Sequence, residues 1–335
     1  MQASKPLNRR RFLGSSLAGA GALASAHSWS GAASYQGRKA FAKTEVETPF
    51  ARIELLAEGV WAVVSTPFKP EGGFGDMTTV CNGGLIAGQD GLLVIDTFQR
   101  PEGAAWVVEQ GLRLTGKRPT HVLLTHFHGD HSGGMAGFQY GAQGPEIIAT
   151  ETTRQLLWDR FQTPRSREGS PFLEVRQRFL APTRLLPAEG DPVPLDLGGR
   201  TVMIERRAGH TPSDLAVVVD DPRIVFDGDI VWKDVFPNYA DALPDVWRKH
   251  AGEILKDPET IHIPGHGDVA RGKDLTLYPA MLAEVEKAAR QAHSKGQDMK
   301  EAASEFKLPN SLGDWLLFNP TQYETAFRAW YRVLG

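Results

Sequence analysis

The segment Thr125-His126-Phe127-His128-Gly129-Asp130-His131-Ser132-Gly133-Gly134 places three imidazoles and one carboxylate within six positions. Buried polar groups are costly unless something pairs with them. Neutral imidazole is the commonest protein ligand for zinc and its neighbours in the first transition row. One or two divalent ions would pair with this run. The stretch Thr120-His121-Val122-Leu123-Leu124 before it is short, apolar and rich in strand formers. Glycines follow it. The ligands therefore belong on a loop at the end of a strand, where an α/β sheet places its chemistry. On an extended backbone His126, His128 and Asp130 share one side and His131 takes the other. That suits two adjacent ions, His126 with His128 on one and Asp130 with His131 on the other. The plainer reading is a polar surface loop that binds nothing, and further motifs downstream argue against it.

Gly209-His210-Thr211-Pro212-Ser213-Asp214 follows the strand-like Thr201–Glu205, and Pro264-Gly265-His266-Gly267 follows Thr260–Ile263. Between them Ile224-Val225-Phe226-Asp227-Gly228-Asp229 is another apolar run ending in glycine and a carboxylate. Alone, each motif is weak. Together, and in this order, they are specific.

At this point the chain resembles the metallo-β-lactamase superfamily, whose metal signature is His-x-His-x-Asp-His, then His, then Asp, then His. The resemblance covers about residues 50 to 270. It implies an α/β fold, a four-layer αββα sandwich with its metals at one edge. It assigns His126, His128 and His210 to a first metal and Asp130, His131 and His266 to a second, with Asp229 bridging them. Asp96, in Leu92-Leu93-Val94-Ile95-Asp96-Thr97, matches the acidic residue that supports such a site. Asp227 competes with Asp229 for the bridge; Gly228-Asp229 fits the family pattern better. His121 and His262 read as core or supporting groups, and His27, His250 and His293 as surface positions.

The resemblance further implies metal-assisted hydrolysis of a small-molecule substrate. Two divalent ions about 3.5–4 Å apart lower the pKa of a shared water toward roughly 7. The hydroxide attacks a carbonyl (ester, thioester, lactone or lactam) or phosphoryl centre. Asp130 is placed to orient it and to carry a proton. Zinc suits the donor set, with iron or manganese also accommodated. Class B β-lactamases of the most similar subclass carry Cys where this chain has Asp229 and Lys where it has Trp232, so weak lactam turnover is expected. Two other classes compete: a mononuclear iron redox enzyme resembling sulfur dioxygenases, and a non-catalytic metal-binding relative.

The N-terminus reads separately. Asn8-Arg9-Arg10-Arg11-Phe12-Leu13 precedes a Gly- and Ala-rich apolar stretch, with small residues at Ala24-Ser25-Ala26. This resembles a twin-arginine export signal over residues 1–26, implying a periplasmic protein. The apolar run is short for a membrane span. Removing 1–26 takes away Lys5, Arg9, Arg10 and Arg11 and no acid, lowering the formal charge from −3 to −7. Such a chain offers no nucleic-acid surface. Cys81 is the only cysteine, so no intramolecular disulfide forms, and its strand-like context suggests a buried, inert thiol.

Residues 27–50 read as a linker, 51–272 as the metallo-β-lactamase-like domain and 273–335 as a C-terminal helical extension. Hairpins are expected around Glu58-Gly59 and at Gln89-Asp90-Gly91, the latter joining two strands between Thr79 and Ile95. The Gly-rich loop Pro67–Met77, with Phe68 and Phe74, is either a substrate cover or a connector. Residues 151–190 resemble an insertion that opens with a helix over 153–161. Further helices are expected over 241–255, around Met281–Ala289, and near 299–306 and 322–333. The aromatic set Trp315, Phe318, Phe327, Trp330 and Tyr331 suits core packing, or a dimer contact.

Overall fold

Short apolar runs broken by turn residues become two sheets. A computed structural model describes residues 42–66, 77–140, 144–162 and 181–335. The first sheet has eight strands in sequence order: β1 (Lys43–Glu47), β2 (Ala51–Ala57), β3 (Val60–Ser65), β4 (Gly83–Ala87), β5 (Leu92–Ile95), β6 (His121–Leu123), β7 (Glu146–Thr150) and β8 (Arg184–Leu186). β1 to β5 form an antiparallel meander; β5 to β8 are parallel. Helix α1 (Pro101–Thr115) crosses from β5 to β6. One helical turn, α2 (Gly129–Ser132), follows β6, and α3 (Glu151–Gln162) follows β7.

The second sheet holds β9 (Val193–Asp196), β10 (Thr201–Arg206), β11 (Leu215–Val219), β12 (Ile224–Trp232), β13 (Ile261–His266) and β14 (Ala270–Arg271), in the order β14-β13-β12-β11-β10-β9. Helix α4 (Pro244–Ile254) links the parallel pair β12 and β13. Helices α5 (Leu277–Ser294), α6 (Met299–Glu305) and α7 (Gln322–Leu334) complete the chain. No helix among the described residues is long and apolar enough to cross a membrane.

Side-chain alternation assigns the layers. Leu93, Ile95 and Leu123 of the first sheet meet Val217, Phe226 and Ile263 of the second in one core. The alternate residues Leu92, Val94 and Val122 face outward onto Val107 and Val108 of α1 and Leu157 of α3. Ala216, Val218 and Val225 face out on the other side, toward Ile254 of α4. Trp247 of α4 joins Met281 and Val285 of α5 and Phe327 and Trp330 of α7 in the largest cluster. The expected αββα sandwich is therefore present.

Several local expectations change. Lys43–Glu47 lies in the stretch read as linker, yet it pairs with β2, so the first sheet begins there. Residues 79–82 are not strand. Val80 sits at φ 112, a region that a β-branched residue rarely adopts. It is held because its N–H donates to Ser65 Oγ at 2.7 Å. The stretch 151–190, read as an insertion, supplies strand β8 to the first sheet. The expected C-terminal helices are present and pack as a structural layer. Phe327 and Trp330 are core, while Trp315, Phe318 and Tyr331 pack partly buried against it. The segment 1–41 and the Gly-rich loop over 67–76 lie outside the described residues.

Candidate metal centre

All seven expected ligand positions lie on, or in the segments that follow, strands of the two sheets. The loop after β6 carries His126 and His128 and runs into α2 with Asp130 and His131. This corrects the extended-loop picture: His131 is displaced from its neighbours by a helical turn, not by strand alternation. His210 lies in the β10–β11 loop, Asp229 in β12 and His266 at the end of β13. Glycine makes two of these positions possible. Gly228 sits at φ 53, where a Cβ would meet Thr125 Cβ at 2.8 Å. At Gly265 a Cβ would fall 1.9 Å from Asp229 Oδ1.

The donors form two groups. Atoms of His126, His128, His210 and Asp229 lie within 4.8 Å of one another, and so do atoms of Asp130, His131 and His266. Asp229 presents one oxygen to each. Its Oδ2 is 3.1 Å from His210 Nε2 and 3.8 Å from His126 Nε2. Its Oδ1 is 3.0 Å from His131 Nε2 and 3.5 Å from His266 Nε2. Asp227 instead faces His262 Nδ1 at 3.1 Å, both residues fully buried. Asp229, and not Asp227, has an oxygen among the grouped donor atoms.

Two observations test whether ions fit. First, His126 Nε2, His131 Nε2, His266 Nε2 and Asp229 Oδ1 are buried without a hydrogen-bond partner. Each such group costs about 1–3 kcal/mol if left unpaired. They are aimed at shared points instead. Second, two ligands at 2.0–2.1 Å in tetrahedral geometry stand roughly 3.3 Å apart. His128 Nδ1 and His210 Nε2 stand 2.9 Å apart and His126 Nε2 and Asp229 Oδ2 3.8 Å apart, and within each group the donors lie within 4.8 Å of one another. The cluster is able to bind metal.

Surrounding residues fix the rings. Asp96 Oδ2 accepts from His131 Nδ1 at 2.8 Å, which leaves Nε2 for the cluster. Thr125 donates its N–H to Asp96 Oδ1 at 2.8 Å. Asp241 Oδ2 accepts from His128 Nε2 at 2.9 Å, leaving Nδ1 facing His210. Asp214 closes the His210 loop, accepting from Thr211 N and Oγ1, each at 2.7 Å. Asn82 clamps the His266 loop: its Nδ2 donates to Pro264 O at 2.8 Å and Gly267 O at 2.7 Å. Its Oδ1 accepts from Ser65 N at 3.0 Å.

Electrostatics separate the two donor groups: burial opposes charge on His131 and His266, but Asp229 and Asp130 outweigh it and raise both, His266 to about 9, so an ion there must displace their protons. Burial holds the His126 and His128 imidazoles below their ordinary pKa, hence neutral. Burial also opposes charge on Asp229, but His131, His266 and His210 outweigh it and hold the carboxyl well below the usual range. Cys81 is buried within 4.8 Å of Asp96 and His131, closer to the centre than its sequence suggested. Burial pushes its thiol up to about 12, so it stays protonated.

Sequence reasoning singled out neither Asp241 nor Asn82. Asp241 was noted only as a helix start, and no motif links it to a histidine 113 positions away. His250, read as a surface position, is half-buried with Nδ1 2.6 Å from Ala208 O, tying α4 to the loop of His210.

A four-layer sandwich with this His/Asp cluster at one edge defines a metal-binding hydrolase fold. The family model of the metallo-beta-lactamase superfamily matches residues 76–275, and the chain belongs to that superfamily. It is 29% identical over 123 residues to an acyl-coenzyme A thioesterase of Gallus gallus, a match covering 35% of this chain and 43% of that one. It is 25% identical over 225 residues to a hydroxyacylglutathione hydrolase of Rhodopseudomonas palustris (strain BisB5), covering 65% of this chain and 73% of that one. A metallo-β-lactamase structure from Hirschia baltica superposes with a TM-score of 0.53 at 20% identity, covering 69% of this chain and 97% of that one.

Proposed function

We propose that this chain is a dinuclear metal-dependent hydrolase acting on a carbonyl ester or thioester in preference to a β-lactam. The observation that carries the reading is Asp229, with one carboxylate oxygen toward each donor group. His126, His128, His210 and Asp229 would hold one ion; Asp130, His131, His266 and Asp229 the other. When bound, two divalent ions, zinc by donor type, supply a nucleophile at neutral pH and polarise the electrophile.

The chain's own groups have separate tasks. Asp130 is the most exposed of the carboxylates in the cluster, at 25% of its side chain, and lies 3.2 Å from His266 Nε2. It is placed to pass a proton between solvent and the leaving group. Hydrolysis leaves a hydroxyl on the acyl carbon and the proton on the departing thiol or alcohol. Trp232, where lactam hydrolysis would favour lysine, stacks on His266 at 4.1 Å, which supports a non-lactam substrate. Both curated relatives described above are named for thioester chemistry.

Metal quantification on purified protein, coupled to a panel of thioester, ester, lactone, phosphoester and lactam substrates, tests this. We expect two ions per chain and turnover led by ester or thioester. A folded protein that holds at most one ion after supplementation, and consumes oxygen with a persulfide, would replace the hydrolase by a redox enzyme. We also propose periplasmic export through a twin-arginine-type signal, on the strength of Arg9, Arg10 and the apolar run after them. Replacing both arginines with lysine should hold the chain in the cytoplasm; normal periplasmic accumulation would refute it.

A further inference from the structure

The donor groups open onto a cleft of about 740 Å³ with two chemically different walls. Over the His266 side the wall is aromatic. Trp232 lies nearly parallel to His266, 4.1 Å away, and donates its Nε1–H to Asp229 O at 2.8 Å. Phe318, from the segment between α6 and α7, stands edge-on to His266 at 5.2 Å and 5.7 Å from Trp232. Lys233, next in sequence, does not reach this wall. It is buried and paired with Asp234.

Over the His128 side the wall is helix α3. Leu156 and Arg160, four residues apart and so on one face, both line the cleft. The Arg160 guanidinium lies over the Phe127 ring, 5.8 Å from its centroid. Phe127 in turn packs 4.7 Å from the His128 ring. Arg160 is the one Arg or Lys among the described residues that line the cleft. The carboxylates there face other groups as well, although Asp241, held down first by His128, also feels the Arg160 charge. Asp130 and Asp229 face the donor groups, Asp241 accepts from His128, and Asp159 accepts from Gln155 at 2.9 Å.

We propose that Arg160 is a specificity-determining residue that binds a carboxylate or other anionic group of the substrate. The substrate is then an anionic ester or thioester. Its charged end lies toward α3 and its apolar end toward Trp232 and Phe318. The proposal rests on the hydrolase reading above and adds orientation and charge to it. A planar, permanently charged guanidinium is the group best suited to a carboxylate at a half-buried site. Among the described residues that line the aromatic wall there is no Lys or Arg.

The test uses the metal-loaded full chain and two matched probes: 4-carboxyphenyl butanoate and its neutral 4-carbamoyl analogue. For Arg160→Ala we expect KM for the carboxylate ester to rise roughly 10- to 100-fold, the range of a charge-assisted hydrogen bond, with kcat little changed. The neutral ester should lose far less, and Arg160→Lys should recover part of the carboxylate preference. Equal losses on both esters, or none on either, would overturn the proposal. A second arm does not depend on turnover: binding of 4-hydroxybenzoate and its amide by ligand-observed NMR. Arg160→Ala should weaken the carboxylate selectively; unchanged selectivity overturns the proposal. Absence of turnover in wild type, with selective binding retained, would refute the hydrolase reading and leave the anion site standing.

Discussion

Replacing Gly265 with alanine tests the bridging carboxylate without touching a ligand. The new Cβ would stand 1.9 Å from Asp229 Oδ1 and 2.9 Å from the Gly228 carbonyl carbon and oxygen. To reach even a 3.0 Å contact the carboxylate oxygen must retreat by about 1.1 Å. Metal ligands tolerate displacements of about 0.2 Å. The oxygen that moves is the one facing His131 and His266, so the second ion should be lost first. Disturbing groups that merely orient ligands costs about 10- to 100-fold in affinity. Displacing a ligand should cost at least the upper figure, equivalent to about 2.7 kcal/mol. Overpacking adds about 1–3 kcal/mol of destabilisation in the metal-free chain. The assay is competition against a chromophoric chelator, with thermal unfolding in the presence and absence of metal. Gly252→Ala is the control: a Cβ there meets nothing within 4 Å, and a helical Gly-to-Ala change should stabilise by about 0.5–1 kcal/mol. A Gly265→Ala protein that binds two ions with wild-type affinity would refute the bridging role of Asp229.

Asp229→Ala should lower metal affinity at both sites, whereas Asp227→Ala should act on stability through the unpaired His262; the reverse ranking in metal titrations would show that the wrong carboxylate was chosen. Asn82→Ala strands the Pro264 and Gly267 carbonyls, so affinity for the second ion should fall about 10- to 100-fold while the first is held more nearly constant, as read by stepwise metal competition. Burial pushes Asp214 up to about 7, so the folded chain binds its proton more tightly than the unfolded chain does. That contribution to stability is fully present below the ordinary carboxyl pKa, about 4, and is lost as pH rises through about 7. The amplitude is at most about 4 kcal/mol. Asp214→Asn should therefore flatten the denaturation midpoint of metal-free protein between these pH values; an unchanged profile would refute it.

The donor cluster was legible because its chemistry is local. Four of the seven sit within six positions, and each of the others follows a short apolar run that reads as a strand. The hairpin at Glu58-Gly59 was legible for the same reason, since Gly59 adopts the positive φ that the turn requires. What holds the ligands was mostly not legible. Asp241 reaches His128 across 113 residues, and Asn82 reaches Gly267 across 185. No periodicity records such a contact. Residues 79–82 carried strand formers, yet side-chain hydrogen bonds from Ser65 and Asn82 override that propensity. The C-terminal helices were found as helices. Their role as the fourth layer follows only from which sheet face lacked a cover.

The division of ligands between the sheets links metal binding to folding. His126, His128, Asp130 and His131 come from the loop and turn after β6 of the first sheet. His210 comes from the β10–β11 loop, Asp229 from within β12 and His266 from the end of β13 in the second. Each donor group contains residues from both, so neither forms on one sheet alone. Direct bonds between the sheets at this edge include Asn82 N–H to Gly265 O at 2.7 Å and Leu215 N–H to Thr125 O at 2.8 Å. Both connect ligand-bearing segments. The free energy of binding an ion here is therefore also free energy of holding the two sheets together. Without an ion, the buried donors without partners and the like-facing imidazoles act at this same edge and oppose its closure. The apolar core between the sheets has to supply that closure, and it does so from residues such as Phe226 and Ile263, a few positions from Asp229 and His266.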